Sequence, residues 1–337
     1  MPIELTRRDV VKAGLAATVA GMNGCAPASY VVGPNRAARP GTDRVLVLSD
    51  THVAGDPATL GRADVSMAER LEAVLDDAMP IVGRGGHALQ IKGPVRSSDY
   101  DFALLNGDAA YDVGAVEDYT TLVGLLSRLS DAGTPTHVLL GNHDHRERFW
   151  SIASAERQSQ PGRAPSSTPV AGKHVRKLGV DDGSRFCDWL LLDSLRSTDE
   201  VPGTLGEDQL AWLDAALAED PGRPAVLVLH HPPVADDDPE EPFGLLDFVA
   251  FGSVVQKHAH VKAVLHGHTH RWDPDQYWIS FLRRRVPMIG LPPTSYVFEE
   301  GRPWGYVVAD VDASGATFTL RAMDGHAADG EAARVEF

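Results

Sequence analysis

The stretch that decides the fold is Arg44–His52, which reads RVLVLSDTH. Its Val/Leu run predicts a buried β-strand over 44–49, and polar residues follow where that strand ends. Asp50 and His52 are two positions apart, so in an extended segment their side chains share one face. A carboxylate and an imidazole on one face can bind the same divalent metal ion.

Four further stretches repeat this arrangement of an apolar run followed by metal-seeking side chains. They are Gly107-Asp108, Gly141-Asn142-His143-Asp144, His230-His231-Pro232 and Gly267-His268-Thr269-His270. One such motif is weak evidence, because a lone Asp-x-His or Gly-Asp is usually a turn. Five at successive strand ends predict one site assembled from distant parts of the chain.

Composition limits the class of partner. The chain has 337 residues, of which 43% are hydrophobic and 23% charged, as expected for a globular protein with a core. Its net charge of −16 and pI of about 5.2 argue against specific nucleic-acid binding, which requires basic surfaces. A small phosphate-ester substrate remains compatible, because bound metal ions dominate the local field.

The amino terminus resembles an export signal. Thr6–Lys12 reads TRRDVVK and resembles a twin-arginine motif, and a short Ala/Gly/Val run follows it. The run is much shorter than the ~20 residues that span a bilayer. We therefore expect residues 1–28 to be a twin-arginine-type signal peptide and the protein to be periplasmic or otherwise extracytoplasmic.

Two interpretations of Cys25 remain open. Met22–Cys25 forms a poor lipoprotein box, which would leave a lipid anchor on Cys25, whereas cleavage after Ala28 would remove it. Residues 29–43 are rich in Pro, Gly, Arg and Ala and predict a flexible tether. Cys187 then has no disulfide partner and is expected to be a small core residue.

Strand and helix patterns alternate over most of the remaining chain, 44–337, which predicts a single layered α/β domain. Strands are predicted at 44–49, 102–105, 137–140, 189–192, 225–229, 261–265, 307–311 and 316–320, the last two separated by a turn at Gly315. Helices are predicted at 64–79, 116–132 and 207–217, the first capped by Asp64. Residues 158–170 are predicted to be a surface loop.

The ordered motifs resemble those of the calcineurin-like metallophosphoesterases, over about residues 44–272. The resemblance implies a four-layer α/β sandwich, with two mixed β-sheets flanked by helices and a dinuclear metal site at one edge. It implies that one metal is bound by Asp50, His52, Asp108 and His270. The other is bound by Asp108, Asn142, His230 and His268, so Asp108 bridges the two, and His231 lies behind His230 without binding a metal.

A phosphate-ester hydrolysis mechanism follows from two such ions, of Mn, Fe, Zn or Co. They can hold a bridging hydroxide as nucleophile and neutralise phosphoryl oxygens as charge develops. His143 is expected to donate a proton to the leaving oxygen. Asp144 is expected to orient the His143 ring through one ring nitrogen.

Two alternatives are kept. Gly107–Tyr111 also fits the purple acid phosphatase pattern, in which the tyrosine binds ferric iron, but those enzymes have glycine where this chain has His52. We therefore expect Tyr111 to pack or hydrogen-bond away from the metals. The second alternative is a non-catalytic, metal-stabilised binding scaffold, which the complete ligand set argues against.

The ester that is cleaved is left open between phosphodiesters and phosphomonoesters. Leu192-Asp193-Ser194 and Leu205–Leu213 resemble segments of the cyclic-nucleotide phosphodiesterase-like branch of the family and slightly favour a diesterase. We expect both segments to act mainly as scaffold. The metal identity and the oligomeric state are also left open by the sequence.

Overall fold

The computed structural model describes residues 41–79, 98–159, 166–234, 242–277 and 285–337, all within the unit Arg36–Phe337. The predicted signal peptide, Cys25 and most of the tether lie outside these residues, as does the acidic run 236–241. Among the described helices, none combines the length and apolar character of a membrane span.

The elements alternate along the chain as the sequence pattern predicts, with additional strands near the middle and the carboxyl end. In chain order they are β1 (Asp43–Leu48), α1 (Met67–Ala78), β2 (Phe102–Asn106), α2 (Val116–Asp131), β3 (Thr136–Leu139), α3 (Arg146–Ser159), β4 (Thr168–Val170), β5 (Lys173–Leu178), β6 (Asp188–Leu191), α4 (Glu207–Ala218), β7 (Ala225–Val228), α5 (Phe248–Lys257), β8 (Val261–His266), β9 (Asp273–Tyr277), β10 (Pro287–Gly290), β11 (Gly305–Asp312), β12 (Gly315–Ala322) and β13 (Ala332–Glu336). Short 3-10 turns occupy Arg62–Asp64 and Val180–Asp182.

The strands form two mixed sheets. The six-stranded sheet has the order β13-β12-β11-β1-β2-β3, and the seven-stranded sheet has the order β4-β5-β6-β7-β8-β10-β9. Strands β1, β2 and β3 are parallel, and so are β7 and β8. The five polar motifs follow these five strands, so parallel pairing carries their side chains to the same edge of each sheet.

Three apolar layers hold four layers of elements together, which confirms the predicted sandwich of two mixed sheets flanked by helices. Along β1 the side chains alternate, so that Leu46 and Leu48 pack toward α1–α3 whereas Val45 and Val47 pack between the sheets. Helices α4 and α5 cover the outer face of the seven-stranded sheet. Cys187 is fully buried in the layer between the sheets, as expected of a small core residue.

Several boundaries differ from the sequence prediction. Helix α1 begins at Met67, and its cap is Ser66, whose Oγ accepts a hydrogen bond from the Glu69 backbone N–H at 3.1 Å. Asp64 instead lies in the preceding 3-10 turn with a positive φ of 53°. Gly315 begins β12 instead of forming a separate turn, because β11 and β12 join as one long hairpin.

The sequence prediction missed α3, α5 and the strands β4, β5, β9, β10 and β13. Helix α3 opens with Arg146, Glu147 and Arg148 and buries only a short apolar stripe, so its helical period is faint. The predicted loop 158–170 is partly wrong, because α3 continues to Ser159 and β4 occupies Thr168–Val170. Strands β4, β9, β10 and β13 have only three to five residues and carry too few alternations to be recognised. The six-residue strand β5 reads KHVRKL, and its three cationic residues hide its apolar pattern.

Candidate metal centre

The loops after β1, β2 and β8 bring together a first group of four buried side chains. Asp50, His52, Asp108 and His270 each offer a ligand atom, and these atoms all lie within 4.8 Å of one another. His270 Nε2 is 3.2 Å from Asp50 Oδ1, and His52 Nε2 is 3.5 Å from Asp108 Oδ2. We call this group cluster A; its two carboxylates and two imidazoles could hold a metal ion.

A second group, cluster B, comprises His230, His231 and His268, whose ligand atoms also lie within 4.8 Å of one another. Asp108 connects the two clusters, because its Oδ2 lies 3.2 Å from His230 Nε2 as well as beside His52. A single carboxylate between two histidine groups is the arrangement expected of a ligand shared by two cations. His231, which the sequence interpretation placed behind His230, belongs to this group in the structure.

Backbone acceptors orient the histidine rings toward the clusters. His52 Nδ1 faces Tyr111 O at 3.3 Å, His230 Nδ1 faces Asn106 O at 2.8 Å, and His270 Nδ1 faces Tyr296 O at 2.5 Å. A carbonyl oxygen can only accept a hydrogen bond, so each Nδ1 carries a hydrogen and each Nε2 faces the cluster. In the neutral form of the ring, the lone pair is therefore on Nε2.

Several side-chain nitrogen and oxygen atoms of the two clusters and of Asn142 are buried without a hydrogen-bond partner. They are the Nε2 atoms of His52, His230, His231 and His268 and the Oδ1 atom of Asn142. A buried polar atom without a partner costs about 1–3 kcal/mol, so a convergence of five is costly unless a ligand satisfies them. These unpartnered atoms therefore fit bound metal ions, and the Asn142 amide oxygen is one of them.

The backbone is strained at the same residues. Nine described non-glycine residues have positive φ, and Asp50, His52, Asp108, His268 and His270 are five of them, with φ between 43° and 66°. This left-handed conformation is unfavourable for residues with a Cβ and persists only where the surrounding fold imposes it. The fold therefore holds these five residues in an unfavourable backbone conformation, which lowers its stability but directs their side chains into the clusters.

Glycines in the motifs make room for the ligands. A Cβ on Gly141 would lie 2.2 Å from Asp108 Oδ1, and a Cβ on Gly267 would lie 2.8 Å from Asp50 Oδ2. Neither separation is possible between real atoms, so both positions require glycine for close approach. This accounts for the glycine in Gly-Asn-His-Asp and in Gly-His-Thr-His.

Burial and neighbouring charge set the protonation of the site. Burial lowers the pKa of His52 to about 3, and burial followed by nearby imidazoles holds the pKa of His268 well below its usual range. Burial also opposes charge on His230, but the Asp108 carboxylate raises the pKa of this histidine to about 9. The His230–Asp108 pair therefore holds a proton where a metal ion would compete for the same atoms.

His143 lies at the open side of cluster A. Its backbone N–H donates to Asp108 Oδ1 at 2.9 Å, and its ring lies 4.8 Å from the His52 ring. The predicted orientation of this ring by Asp144 is wrong, because His143 Nδ1 hydrogen-bonds the carbonyl of Asp112 at 2.8 Å. Sequence could not show this partner, since any residue supplies a backbone carbonyl.

The Asp144 carboxylate instead fastens the metal-site loops to each other. It accepts hydrogen bonds from the backbone N–H groups of Ala109, Ala110 and Gly141 at 2.9 to 3.2 Å, and from the Tyr119 hydroxyl at 3.2 Å. Asp144 therefore joins the loop that carries Asp108 to the loop that carries Asn142. Asp144 therefore positions the loops that carry the candidate metal ligands, and its carboxylate oxygens are bonded to those loops and to Tyr119.

Tyr111 forms a hydrogen bond near the site, as the sequence analysis expects. Its hydroxyl donates to Leu60 O at 3.4 Å, and its carbonyl faces His52. Ser194 is a site residue that the sequence analysis treated only as scaffold: its Oγ is 2.8 Å from His231 Nδ1. Gln209 holds the same segment in place, exchanging two 2.8 Å hydrogen bonds with the Asp193 backbone, which fits the predicted scaffold role of this segment.

Comparisons with known proteins agree with this geometry. The sequence profile described as calcineurin-like phosphoesterase matches residues 43–272. A probable cyclic nucleotide phosphodiesterase from Synechococcus sp. is 30% identical over 269 residues, covering 78% of this chain and 92% of that protein. The 3′,5′-cyclic adenosine monophosphate phosphodiesterase CpdA of Escherichia coli is 28% identical over 232 residues, covering 68% of this chain and 70% of that protein.

Solved structures show the same fold at low identity. A dimetal phosphatase from Danio rerio superposes with a TM-score of 0.58 at 15% identity, covering 88% of this chain and 99% of that one. With the family profile matching most of the described domain and the Asp and His clusters assembled at its sheet edges, the chain belongs to the calcineurin-like phosphoesterases and is a hydrolase of phosphoric ester bonds.

Proposed function

We propose that the protein is a dinuclear phosphodiesterase that acts on small phosphodiesters, cyclic nucleotides among them, with phosphomonoesters as a secondary class. The observation that carries this proposal is the position of Asp108, whose carboxylate lies within 3.5 Å of His52 and 3.2 Å of His230. The names of the relatives, which are cyclic nucleotide phosphodiesterases, support the substrate class.

In this proposal Asp50, His52, Asp108 and His270 hold one ion, and Asp108, Asn142, His230 and His268 hold the other. His231 lies close enough to cluster B to join them. When bound, the ions supply an activated water molecule as nucleophile and neutralise charge on the phosphoryl oxygens. The identity of the ions is proposed as Mn, Fe, Zn or Co.

His143 is proposed to give a proton to the leaving oxygen. Its Nδ1–H is fixed on the carbonyl of Asp112 at 2.8 Å, so Nε2 is the atom that exchanges a proton with the ester. The backbone N–H of the same residue holds Asp108 Oδ1, which links the position of the acid to that of the shared carboxylate. Asp144 holds the loop of Asp108 and the loop of His143 together through hydrogen bonds to their backbone N–H groups.

We also keep the proposal of twin-arginine export, with residues 1–28 removed or Cys25 lipidated. It is supported by the Arg7-Arg8 pair and the short apolar run that follows. Replacing both arginines with lysine is expected to retain the protein in the cytoplasm, measured by fractionation of the producing cells. Unchanged export would contradict the proposal.

The test of function is a substrate panel on protein reconstituted separately with Mn, Zn, Fe or Co. We expect bis-p-nitrophenyl phosphate and cyclic AMP to be hydrolysed faster than p-nitrophenyl phosphate. Asp108→Ala is expected to lose both activity and tight metal binding, because it removes a carboxylate that contacts both clusters. Wild-type turnover by a metal-analysed Asp108→Ala protein would refute the dinuclear assignment.

The panel also addresses the iron-dependent alternative. Since the Tyr111 hydroxyl is directed to Leu60, the iron-loaded protein is expected to lack the strong visible band of a tyrosinate bound to ferric iron. Such a band, lost in Tyr111→Phe, would instead identify a purple-type phosphatase.

A further inference from the structure

Two phenylalanines at the rim of the metal centre are unusually exposed. Among the large apolar side chains that the structure describes as exposed, only Phe243 and Phe298 are aromatic, at 41% and 44% exposure. Each packs on a histidine of the site: the ring centroids of Phe243 and His268 are 4.2 Å apart, as are those of Phe298 and His270. The histidines themselves are buried.

The Phe298 side of the rim contains further flat groups. The Tyr296 ring lies 5.3 Å from that of Phe298, nearly perpendicular to it, and 4.6 Å from the His52 ring. The guanidinium carbon of Arg62 lies 5.0 Å from the centre of the Phe298 ring. Phe298 therefore belongs to a wall of planar groups that begins at cluster A and ends at an exposed cation.

Exposed phenylalanine faces are costly in water, so their location is informative. Burying a phenylalanine side chain removes about 150–250 Å² of apolar surface from water, which stabilises the protein. If this rim contacted only phosphate and water, polar side chains there would be better hydrated than phenylalanine rings. Aromatic faces instead bind other planar groups by stacking, and a guanidinium extends such a surface. Phe298 packs on His270 of cluster A and Phe243 packs on His268 of cluster B, so each group of metal ligands has one exposed aromatic ring beside it.

We propose that Phe243 and Phe298, the latter with Arg62, form aromatic subsites that select phosphate esters with a planar aromatic group. The inference rests on the proposed phosphodiesterase function and adds to it the residues that recognise the organic part of the ester. The planar group is a nucleobase or an aryl ring, since both present the same stacking face. Phe243 and Phe298 are specificity determinants and take no part in the chemical step.

The test compares substrates that differ only in the planar group. One pair is cyclic AMP and the base-free ribose 3′,5′-cyclic phosphate; the other is bis-p-nitrophenyl phosphate and methyl p-nitrophenyl phosphate, which share a leaving group. The readout is the ratio of kcat/KM within each pair, which cancels any loss common to both substrates. We expect Phe298→Leu or Phe243→Leu to lower this ratio by about tenfold, as loss of one stacked ring does elsewhere.

A binding measurement accompanies the kinetics. By calorimetry, wild-type protein should bind AMP more tightly than ribose 5-phosphate, and Phe298→Leu should reduce that preference. Phe298→Tyr keeps the aromatic face and should retain the wild-type ratio. The matched control is Phe186→Leu, because Arg185 lies 5.1 Å from the centre of the Phe186 ring in a similar pair that packs on the core between the sheets.

The outcomes separate this inference from the proposed function. If the metal-loaded wild type hydrolyses no phosphodiester, the proposed function fails. If it hydrolyses both members of each pair and both leucine variants keep the wild-type ratios, the function stands and the aromatic subsites are refuted. A lowered ratio for the cyclic nucleotide pair alone identifies a nucleobase as the group recognised, and for the aryl pair alone an aryl group.

Discussion

Replacing Gly141 with alanine adds one carbon at the most crowded point of the metal centre. The new Cβ would lie 2.2 Å from Asp108 Oδ1 and 2.6 Å from His230 Nε2. Gly141 is not among the glycines with positive φ, so alanine introduces crowding without backbone strain. The substitution therefore isolates the close approach of the loop to its ligands.

The size of the effect follows from these separations. Ordinary contact between such atoms requires about 3.5 Å, so Asp108, His230 or the loop must move by about 1 Å. A displacement of that size at a reacting centre costs roughly a hundredfold in rate. We expect Gly141→Ala to lower kcat/KM for bis-p-nitrophenyl phosphate by about that factor and to reduce the metal content measured by mass spectrometry.

Gly124→Ala is the matched control. Gly124 lies in α2 with open space around the position of its Cβ, and alanine is favoured over glycine in a helix by about 0.5–1 kcal/mol. This variant should melt about 1–4 °C higher than the wild type and keep full activity. Wild-type metal content and turnover in Gly141→Ala would refute the argument that crowding at Asp108 requires glycine.

Two further predictions concern single histidines. His143→Ala should retain bound metal but slow turnover by ~10²–10⁴, most for substrates with poor leaving groups, and equal loss for nitrophenol and alkoxide leaving groups would contradict its role as proton donor. His137 in β3 is buried without a hydrogen-bond partner on either ring nitrogen, and burial lowers its pKa to about 4. Because the unfolded chain binds the proton more readily, with a pKa near 6.5, this group destabilises the fold progressively as pH falls from about 6.5 toward 4, by about 2 kcal/mol at pH 5. Urea unfolding at pH 7.5 and pH 5 should show that His137→Leu loses less stability on acidification than wild type does, and equal losses would refute it.

Sequence patterns predicted most of the strands that position the site. The five motifs follow β1, β2, β3, β7 and β8, and all five strands were predicted because each is a continuous apolar run next to a polar cluster. The strands and helices that were missed are short or strongly charged. Strands β4, β9 and β13 lie at sheet edges, whereas β5 and β10 lie inside the seven-stranded sheet but are too short or too charged to show a clear alternation.

Only some of the contacts inside the site could be predicted from the sequence. The convergence of Asp50, His52, Asp108 and His270 was anticipated, since side chains at parallel strand ends meet at one edge. The position of His231 beside the same centre and the attachment of His143 to the Asp112 carbonyl were not. Both depend on how loops from different strands lie against each other.

The sequence by itself determined the family, the layered fold and the kinds of ligand, because apolar periodicity and the order of Asp, Asn and His motifs are local properties of the chain. Only the tertiary structure decided which atoms face each other. It assigned Asp144 to the backbone of neighbouring loops and placed Phe243 and Phe298 over the site histidines. These contacts join residues far apart in the chain, and their partners are backbone groups or common apolar side chains that leave no motif to read.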